Sequence, residues 1–370
     1  MSMKKLQGDG PITVVHIIGS LNRGGAETVA LALAKAIDAK RFRQIFICVS
    51  GEEGSLAPEF RAAGAEVVIM PLQPLLGFSW QLWMLLRKSS ADVFQSHISI
   101  SSGLMLPIAR LAGIANRIAR FHSEGDGKSN SRKRWFYRAL MRFSISLFAT
   151  RVSCVSNSSL EFALGNFSAL ARLRAIPCGQ VRNGVDLDVF RIRTEPEEAV
   201  SRQVLHVGRA APEKNRKVLP FIFEALQTRG PYEMTLVGPG GSSDLPWVPK
   251  EHFTLVGESN DVASYMNNAS VLILPSVREG LPGVILEALA SGIPVVASDL
   301  PSLRELAGNL EGISLVSLQS GADVWAEAID QMYSAWNGNG SIIRNKLMES
   351  KYSLESSAKE WAGIWSEYVK

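Results

Sequence analysis

The chain has 370 residues, more than one ordinary hydrophobic core accommodates, and its length is typical of two domains. With 46% hydrophobic and 20% charged residues it has the composition of a folded soluble protein, and charges interrupt every apolar run long enough to form a membrane-spanning helix. Residues 1–175 contain 22 Lys and Arg against 11 Asp and Glu, whereas the remaining residues contain 17 against 24. This asymmetry favours a first domain that faces an anionic partner, such as a phospholipid surface or a phosphorylated substrate; scattered solvated charge is the alternative.

The N-terminal apolar run predicts a strand rather than a signal peptide. Lys4 and Lys5 precede ITVVHII, which is short and continues into GSLNRGG without a small-residue cleavage site. Cys48, Cys154 and Cys178 form no metal-ligand pair, and we expect them to be core or near-core thiols in a reducing cytosol. The sequence therefore predicts a cytoplasmic protein.

Short β-rich runs alternate with helix-period segments through the first half of the chain. The runs are ITVVHII, IFICVS, AEVVIM, ADVFQSH, NRIARFH and TRVSCVS. Strands that are apolar almost throughout, each followed by a helix, indicate a parallel sheet covered on both faces. Residues 1–190 are thus predicted to form a doubly wound, Rossmann-like α/β domain.

The same alternation restarts after a polar, aperiodic stretch at 191–202, which is typical of a linker. The new strands are QVLHVG, YEMTLVG, HFTLVG, SVLILPS, PVVAS and GISLVS, with a helix expected from about 214 to 227. A second Rossmann-like domain is therefore predicted at 202–350. Two such domains leave a cleft between the carboxyl ends of both sheets, where open α/β proteins bind ligands.

The last segment, 351–370, predicts a closing amphipathic helix. Leu354, Trp361, Trp365 and Tyr368 stand at helical spacing, which favours a packing role.

Two glutamates in VREGLPGVILEALASGIPVVAS, residues 277–298, indicate a nucleotide-sugar site. Glu279 lies in the loop after a buried strand, Pro282 and Gly283 suit a helix start, and Glu287 falls about five residues into that helix. A phosphate at the helix N-terminus would leave an attached ribose about level with Glu287, with the sugar near Glu279. The alternative is that Glu287 pairs with Arg209 or Lys214 without any ligand.

Two further loops follow predicted strands. GSLNRGGAET contains Gly24 and Gly25 between the first strand and the first helix, where a phosphate would be favoured. It matches neither the dinucleotide-binding motif nor the P-loop motif. The alternative is that the two glycines form a tight turn with positive φ. LHVGRAAPEK presents Arg209 and Lys214 after Gly208, and these cations could neutralise a diphosphate.

These motifs together resemble a known family. The chain resembles the retaining glycosyltransferases of family 4, which have the GT-B fold. The motifs that carry the resemblance are EGLPGVILE followed by ALASGIPVVASD, VGR with EK, NGVD, NRGGAE and a final aromatic helix. NRGGAET with EGLPGV looks most like the branch that builds capsular polysaccharides and exopolysaccharides. The resemblance extends over nearly the whole chain.

The resemblance implies a donor site contributed by both domains. Glu279 would bind hydroxyls of the transferred sugar, Glu287 the ribose hydroxyls, and Arg209 and Lys214 the departing diphosphate. The remaining implied positions are Gly24 and Gly25 at the phosphate, Gly208, Gly257 facing the base, and Gly280, Leu281, Pro282, Gly283 and Val284 beside the sugar and phosphates. His122 matches the family histidine near the reaction centre, so the expected catalytic residues are Glu279, His122, Arg209 and Lys214.

The implied reaction transfers a sugar, UDP-linked by preference, to a hydroxyl of a glycan or lipid-linked acceptor, with no cofactor and no nucleic acid partner. The family mechanism is a front-face substitution without a covalent serine or cysteine, in agreement with the lack of a recognisable nucleophile and base. Ser96 and His97 end a predicted strand where the acceptor would bind. The DLD at 186–188 resembles a metal motif of another fold but belongs to NGVDLDVF, so no metal is expected. The alternatives are a GT-B sugar-nucleotide 2-epimerase and a catalytically silent sugar-nucleotide-binding subunit.

Residues 123–143 combine a Gly/Ser-rich loop with a helix rich in Arg, Lys and aromatic residues. This pattern predicts either peripheral binding to the inner face of the cell membrane or a basic scaffold helix that only packs. His16 and His206 lie within strands and are expected to be satisfied core residues.

Overall fold

The computed structural model describes residues 10–125, 131–192 and 202–367. The chain divides into two compact units, of which one comprises Met1–Asn183 with Leu354–Lys370 and the other Gly184–Ser353. The predicted linker lies almost entirely outside the described residues.

The second unit begins earlier than the boundary drawn from the sequence. Val185 packs into the core of that unit, and its amide donates to the carbonyl of Tyr352 at 2.9 Å. The guanidinium of Arg344 donates to the carbonyl oxygens of Leu187, at 2.7 Å, and Phe190. Residues 184–192 therefore belong structurally to the second unit.

The first unit contains a seven-stranded parallel sheet. Its strands are β1 (Ile12–Ile18), β2 (Phe42–Cys48), β3 (Glu66–Ile69), β4 (Val93–Ser96), β5 (Asn116–Phe121), β6 (Arg151–Cys154) and β7 (Cys178–Gln180). The order β3-β2-β1-β4-β5-β6-β7 reverses between β1 and β4. Since the ligand crevice of open α/β sheets lies at such a reversal, the loops after β1 and β4 are in the expected place for a site.

Helices connect these strands in the manner predicted. They are α1 (Gly25–Ala36), α2 (Ala57–Ala62), α3 (Leu75–Lys88), α4 (Ser102–Leu111), α5 (Arg132–Phe148), α6 (Asn157–Leu164) and α7 (Ser168–Leu173). The inner strands are buried along most of their length, which explains their nearly continuous apolar sequence.

The second unit contains a six-stranded parallel sheet. Its strands are β8 (Arg202–Val207), β9 (Tyr232–Val237), β10 (Phe253–Gly257), β11 (Val271–Leu274), β12 (Val295–Ser298) and β13 (Ile313–Val316). The order β10-β9-β8-β11-β12-β13 reverses between β8 and β11. The helices are α8 (Leu219–Gln227), α9 (Val262–Asn268), α10 (Gly283–Ala290), α11 (Pro301–Ala307), α12 (Ala322–Trp336) and α13 (Gly340–Met348).

The helix expected from about 214 begins five residues later. Two short 3-10 turns, Pro212–Lys214 and Arg216–Val218, precede α8. Asn215 between them has a left-handed backbone with φ of 52°, which an α-helix cannot contain. The irregular turn keeps Lys214 in the loop after β8.

The final helix, α14 (Leu354–Ser366), belongs to the first unit. Trp361 and Trp365 are fully buried in its core, and the side-chain amide of Asn116 donates to the carbonyl of Ile364 at 3.0 Å. Tyr368 lies outside the described residues. The predicted architecture of two Rossmann-like domains with a C-terminal helix returning to the first is therefore confirmed.

None of the helices in the described part of the chain combines the length and apolar character that a bilayer crossing requires.

Candidate active site

The turn between β11 and α10 holds the first predicted donor residues. The chain leaves β11 at Leu274, passes through Glu279 and enters α10 at Gly283, with Pro282 as an extended cap residue. Among the described residues no side chain caps this helix end. The N–H of Ile285 donates to the carbonyl of Pro282 at 3.2 Å, which leaves the N–H groups of Gly283 and Val284 as candidates to receive an anion. The hydroxyl of Ser302 donates to the carbonyl oxygen of Glu279 at 2.9 Å and holds the turn in place.

Lys214 and Glu279 form an ion pair beside this helix end. The Nζ of Lys214 lies 2.7 Å from Oε1 of Glu279, and the two side chains are only 20% and 10% exposed. The backbone amide of Val277 donates to the carbonyl of Glu213 at 2.9 Å, which joins the two loops. The pairing is possible because β8 and β11 are neighbours at the reversal of the sheet. Sequence reasoning assigned both residues to the donor site without foreseeing this direct contact.

Arg209 is more exposed than Lys214 and has a different partner. Its guanidinium donates to Oε1 of Glu213 at 2.6 Å, and its side chain is 66% exposed. Gly208 precedes it where space is limited: a Cβ there would lie 3.0 Å from Nε2 of His206 and 3.4 Å from Cγ of Lys214. The glycine lets the stem of Lys214 pass close to the backbone toward Glu279.

Glu287 is the fifth residue of α10, as predicted. Four residues at 1.5 Å each place it about 6 Å along the axis from Gly283. Burial raises the pKa of its carboxyl to about 7. Within the described residues this carboxyl forms no hydrogen bond or ion pair, while Arg209 and Lys214 bind other carboxylates. The alternative in which Glu287 pairs with one of these cations is therefore not what the structure contains.

The remaining positions around α10 are apolar or lack side chains. Gly280 and Pro282 are buried, and Leu281 and Val284 are partly buried against the core of the second unit. They offer a ligand backbone groups and apolar contact but no polar side chain.

The backbone conformation and the surrounding space differ among three glycines of the predicted donor site. Gly257 ends β10 with φ of +81°, a conformation that favours glycine without any ligand. Gly24 caps α1 with φ of −160°, so the alternative of a positive-φ turn does not hold there. A Cβ on Gly25 would meet nothing within 4 Å among the described residues. At Gly24 it would lie 2.5 Å from Oε2 of Glu27 and 4.0 Å from the backbone oxygen of Asn22. The space above Gly25 is therefore open, whereas that above Gly24 is occupied by the carboxylate of Glu27.

His122 lies just after β5 and belongs to a chain of three histidines. Its Nε2 is 3.0 Å from Nδ1 of His97, and Nε2 of His97 is 3.1 Å from Nδ1 of His16. His16, expected to be a satisfied core residue, is buried on β1, but its Nε2 has no partner at hydrogen-bond geometry among the described residues. The three residues come together because β1, β4 and β5 are adjacent in the sheet.

Ser96 does not lie at a surface where an acceptor could bind. It is fully buried, and its hydroxyl accepts a hydrogen bond from that of Ser102 at 2.9 Å. His97 lies at the end of β4 but is held by the histidine chain. Sequence reasoning also missed Gln95, whose amide contacts both His97 and Trp365. The signal available was a glutamine within a buried strand.

The DLD segment has a local structural role. Oδ1 of Asp186 accepts hydrogen bonds from the backbone amides of Asp188, at 2.9 Å, and Val189, at 3.3 Å. In the part of the chain that the structure describes, no group of three or more His, Cys, Asp or Glu is arranged to hold a metal ion. Burial raises the pKa of Cys48 to about 11 and of Cys154 to about 12, so these thiols are protonated and poor nucleophiles.

Two family models match the chain. Glycosyltransferase Family 4 matches residues 23–189, and Glycosyl transferases group 1 matches residues 201–335. Together the two matches extend over most of both units.

Curated relatives and solved structures agree with these matches. The chain is 26% identical over 336 residues to the capsular polysaccharide biosynthesis glycosyltransferase CapH of Staphylococcus aureus, covering 87% of this chain and 91% of that protein. It is 24% identical over 377 residues to the glycosyltransferase EpsF of Bacillus subtilis, covering 95% and 96%. The crystal structure of Anabaena HepE with UDP and glucose shares the fold, with a TM-score of 0.76 at 17% identity over 96% of this chain and 99% of that one.

Proposed function

Because this chain belongs to the family 4 glycosyltransferases, we propose that it transfers a sugar from a UDP-sugar to a hydroxyl of a glycan or lipid-linked acceptor, with retention at the anomeric carbon. The product would serve polysaccharide biosynthesis, the process named for CapH. The observation that carries the proposal is the partly buried Lys214–Glu279 pair beside the uncapped start of α10, with the unpartnered Glu287 further along the same helix.

The diphosphate is proposed to bind at the N-terminus of α10. The helix dipole and free backbone amides favour a dianionic group there, and Lys214 and Arg209 add positive charge from the neighbouring loop. Both cations already contact carboxylates, which keeps them at the loop in the absence of a ligand. When the bond to the sugar breaks, negative charge grows on the diphosphate, and preorganised cations stabilise it.

Glu279 is proposed to orient the sugar and Glu287 the ribose. A carboxylate accepts strong hydrogen bonds from hydroxyls, and the ion pair with Lys214 holds the side chain of Glu279 at the turn. Glu287 has no protein partner among the described residues, so two ribose hydroxyls could satisfy its oxygens. The preference for uridine is supported by the UDP complex of HepE, which shares the fold.

The proposed chemistry is a front-face substitution that needs no protein nucleophile. The bond between the anomeric carbon and the diphosphate oxygen breaks while the bond to the acceptor oxygen forms on the same face. The acceptor proton passes to the departing diphosphate, so charge and atoms balance. The positive charge that this requires is supplied in our proposal by Arg209 and Lys214, without a metal ion.

A lipid-linked acceptor is supported by a surface of the first unit that we call the apolar-basic face, formed by α3 and α5. Both helices expose large apolar side chains, and α4 packs against each of them. The exposed residues are Leu75, Leu76, Trp80, Trp83 and Met84 on α3 and Trp135, Phe136, Leu140, Phe143 and Leu147 on α5. Basic residues flank them at 87–88 and 132–134. Aromatic and basic side chains on one face suit an anionic bilayer, although residues 126–130 of the predicted segment lie outside the described residues.

A donor screen tests the proposed function. The melting temperature of the protein is measured with UDP, GDP and ADP, and hydrolysis of the corresponding sugar nucleotides is then followed by product release. We expect UDP to raise the melting temperature most and Glu279→Ala to abolish turnover while still folding. Nucleotide binding without any turnover would indicate the silent subunit instead, and no stabilisation by any nucleotide would refute the donor site.

A further inference from the structure

We propose that the C-terminal helix sets the tautomer of His122, so that this side chain can only donate a hydrogen bond, from Nδ1, to its ligand. The link runs through Trp365, Gln95 and His97, which we assign as positioning residues. The inference rests on the proposed function only for the identity of the ligand, which would be the nucleotide sugar.

The first step fixes the orientation of an amide. The indole N–H of Trp365 donates to the side chain of Gln95 at 2.8 Å, in a fully buried contact. An indole nitrogen is a donor only, so the atom that it meets must be the amide oxygen. The NH₂ group of Gln95 therefore faces His97, with Nε2 of the amide 3.3 Å from Nε2 of the imidazole.

The second step fixes two imidazole tautomers. Because Gln95 presents a donor, Nε2 of His97 must be the unprotonated acceptor, and the proton of the neutral ring is on Nδ1. That Nδ1–H points at Nε2 of His122 across 3.0 Å, so Nε2 of His122 is also unprotonated. The proton of His122 is consequently on Nδ1, a buried atom that has no hydrogen-bond partner among the described residues.

The opposite direction of the chain conflicts with the amide. If His16 donated from Nε2 toward Gln44, its Nδ1 would accept a proton from Nε2 of His97 across 3.1 Å. The Nε2–H of His97 would then point at the NH₂ group of Gln95, 3.3 Å away. Two donors face each other in that arrangement. In the proposed direction Nδ1–H of His16 and the NH₂ group of Gln95 both donate to Nε2 of His97, and of the three imidazole N–H groups only that of His122 has no acceptor among the described residues.

The surroundings keep the histidines neutral, which is required for a single tautomer. Burial holds the pKa of His97 and of His122 well below the ordinary range, and the positive charge of Arg120 lowers both further. Arg120 donates to Oδ1 of Asn183 at 2.6 Å and lies 4.5 Å from the ring centre of Trp361. Its own pKa is lowered by burial to about 10, so it remains charged at neutral pH. An imidazolium would donate from both nitrogens and remove the directional effect.

The consequence for a ligand is a fixed polarity at one contact. A free imidazole could donate or accept after a change of tautomer, whereas His122 is prepared as a donor before the ligand arrives. Among the described residues this Nδ1–H has no acceptor, and in our proposal an oxygen of the bound ligand supplies one. The positioning residues act on turnover through His122, although none of them is proposed to touch the ligand.

The direct test is nitrogen NMR of ligand-free protein labelled at histidine. The chain contains five histidines, which keeps the spectrum simple. His206 serves as an internal reference, because its Nδ1 lies 3.0 Å from the carbonyl oxygen of Ile273 and must carry the proton. We expect His97 and His122 to show the same Nδ1–H signature as His206 at neutral pH. An Nε2–H signature for His122 would overturn the proposal, whether or not the protein transfers sugar.

The second test removes the donor that starts the chain. Trp365→Phe should introduce the Nε2–H form of His122 and lower kcat/KM for transfer about tenfold, the effect of one hydrogen bond of about 1.4 kcal/mol. Trp361→Phe, in the same helix and equally buried, is the matched control and should retain the Nδ1–H signature. A Trp365→Phe protein that keeps the tautomer would refute the link. If no transfer is detected in the parent protein, the tautomer comparison still decides the inference while the proposed function fails separately.

Discussion

Replacing Glu287 with glutamine separates two effects of this carboxylate: the stability that its burial costs, and the hydrogen bonds that it is proposed to form with the ribose of the donor. The pKa of this group is about 7 instead of its ordinary 4.5, and the cause is burial. The difference, 7 minus 4.5, corresponds to ~3.4 kcal/mol at about 1.36 kcal/mol for each pKa unit. Because the side chain retains some solvent exposure, we expect about 1–2 kcal/mol of this to appear as lost stability of the ionised form.

The sign of the pH dependence follows from proton binding. The folded state holds the proton of Glu287 to a higher pH than the unfolded state does, so the free energy of unfolding falls as pH rises from about 4.5 to about 7. Glutamine carries no titrating proton and lacks this decrease. Glu287→Gln should therefore be more stable than the parent by about 1–2 kcal/mol at pH 8, with a much smaller difference at pH 5.

Urea unfolding of both proteins at pH 5 and pH 8, without nucleotide, measures this effect. Glu224→Gln, which changes an exposed glutamate of α8, is the control and should show no such gain. Calorimetric titration with UDP should show weaker binding to Glu287→Gln by about 10- to 100-fold, because hydrogen bonds to a charged acceptor are lost. Equal pH dependence of the two proteins would refute the burial reasoning, and unchanged UDP affinity would refute the ribose role.

Three other predictions concern the site and its surroundings. Lys214→Met and Glu279→Gln should each lower donor turnover by about 10²- to 10³-fold. In a double-mutant cycle of unfolding free energies, the double variant should lose less stability than the two single variants lose together. Strictly additive losses of stability would contradict the ion pair. Asp188→Asn should leave turnover unchanged and chelators should have no effect on the parent enzyme, so a chelator-sensitive activity would disprove metal independence. Trp80→Ser and Trp135→Ser should reduce sedimentation of the protein with vesicles rich in anionic lipid. If binding does not depend on lipid charge, or is unchanged by both substitutions, the apolar-basic face is not a membrane-binding surface.

Sequence reasoning succeeded where the geometry is local. The buried run at 271–274, the loop carrying Glu279 and a helix start at Gly283 follow from strand, turn and capping preferences within a short stretch of chain. The position of Glu287 on α10 then follows from the rise per residue. The family motifs cover this same stretch, which is why its residues could be assigned individually.

Contacts between distant segments could not be obtained in this way. Lys214 meets Glu279 because β8 and β11 are adjacent in the sheet, and a single sequence does not specify strand order. The irregular start of α8 depends on the left-handed Asn215, which the sequence does not reveal, whereas Pro220 in the first turn of α8 is a local sign that the helix starts there. The sequence predicts an ordinary core residue at His16, because nothing in its neighbourhood reveals that His97 lies beside it.

The return of α14 to the first unit has a consequence for how the protein is made. Gln95 and Asn116 are buried, and each uses a group from this helix, the indole of Trp365 and the carbonyl of Ile364. These partners follow in the chain only after the whole of the second unit has been synthesised. A nascent or truncated first unit must therefore leave polar atoms of its central sheet without protein partners. Any fragment intended to fold as this unit alone should carry residues 354–366 joined after residue 183 by a short linker.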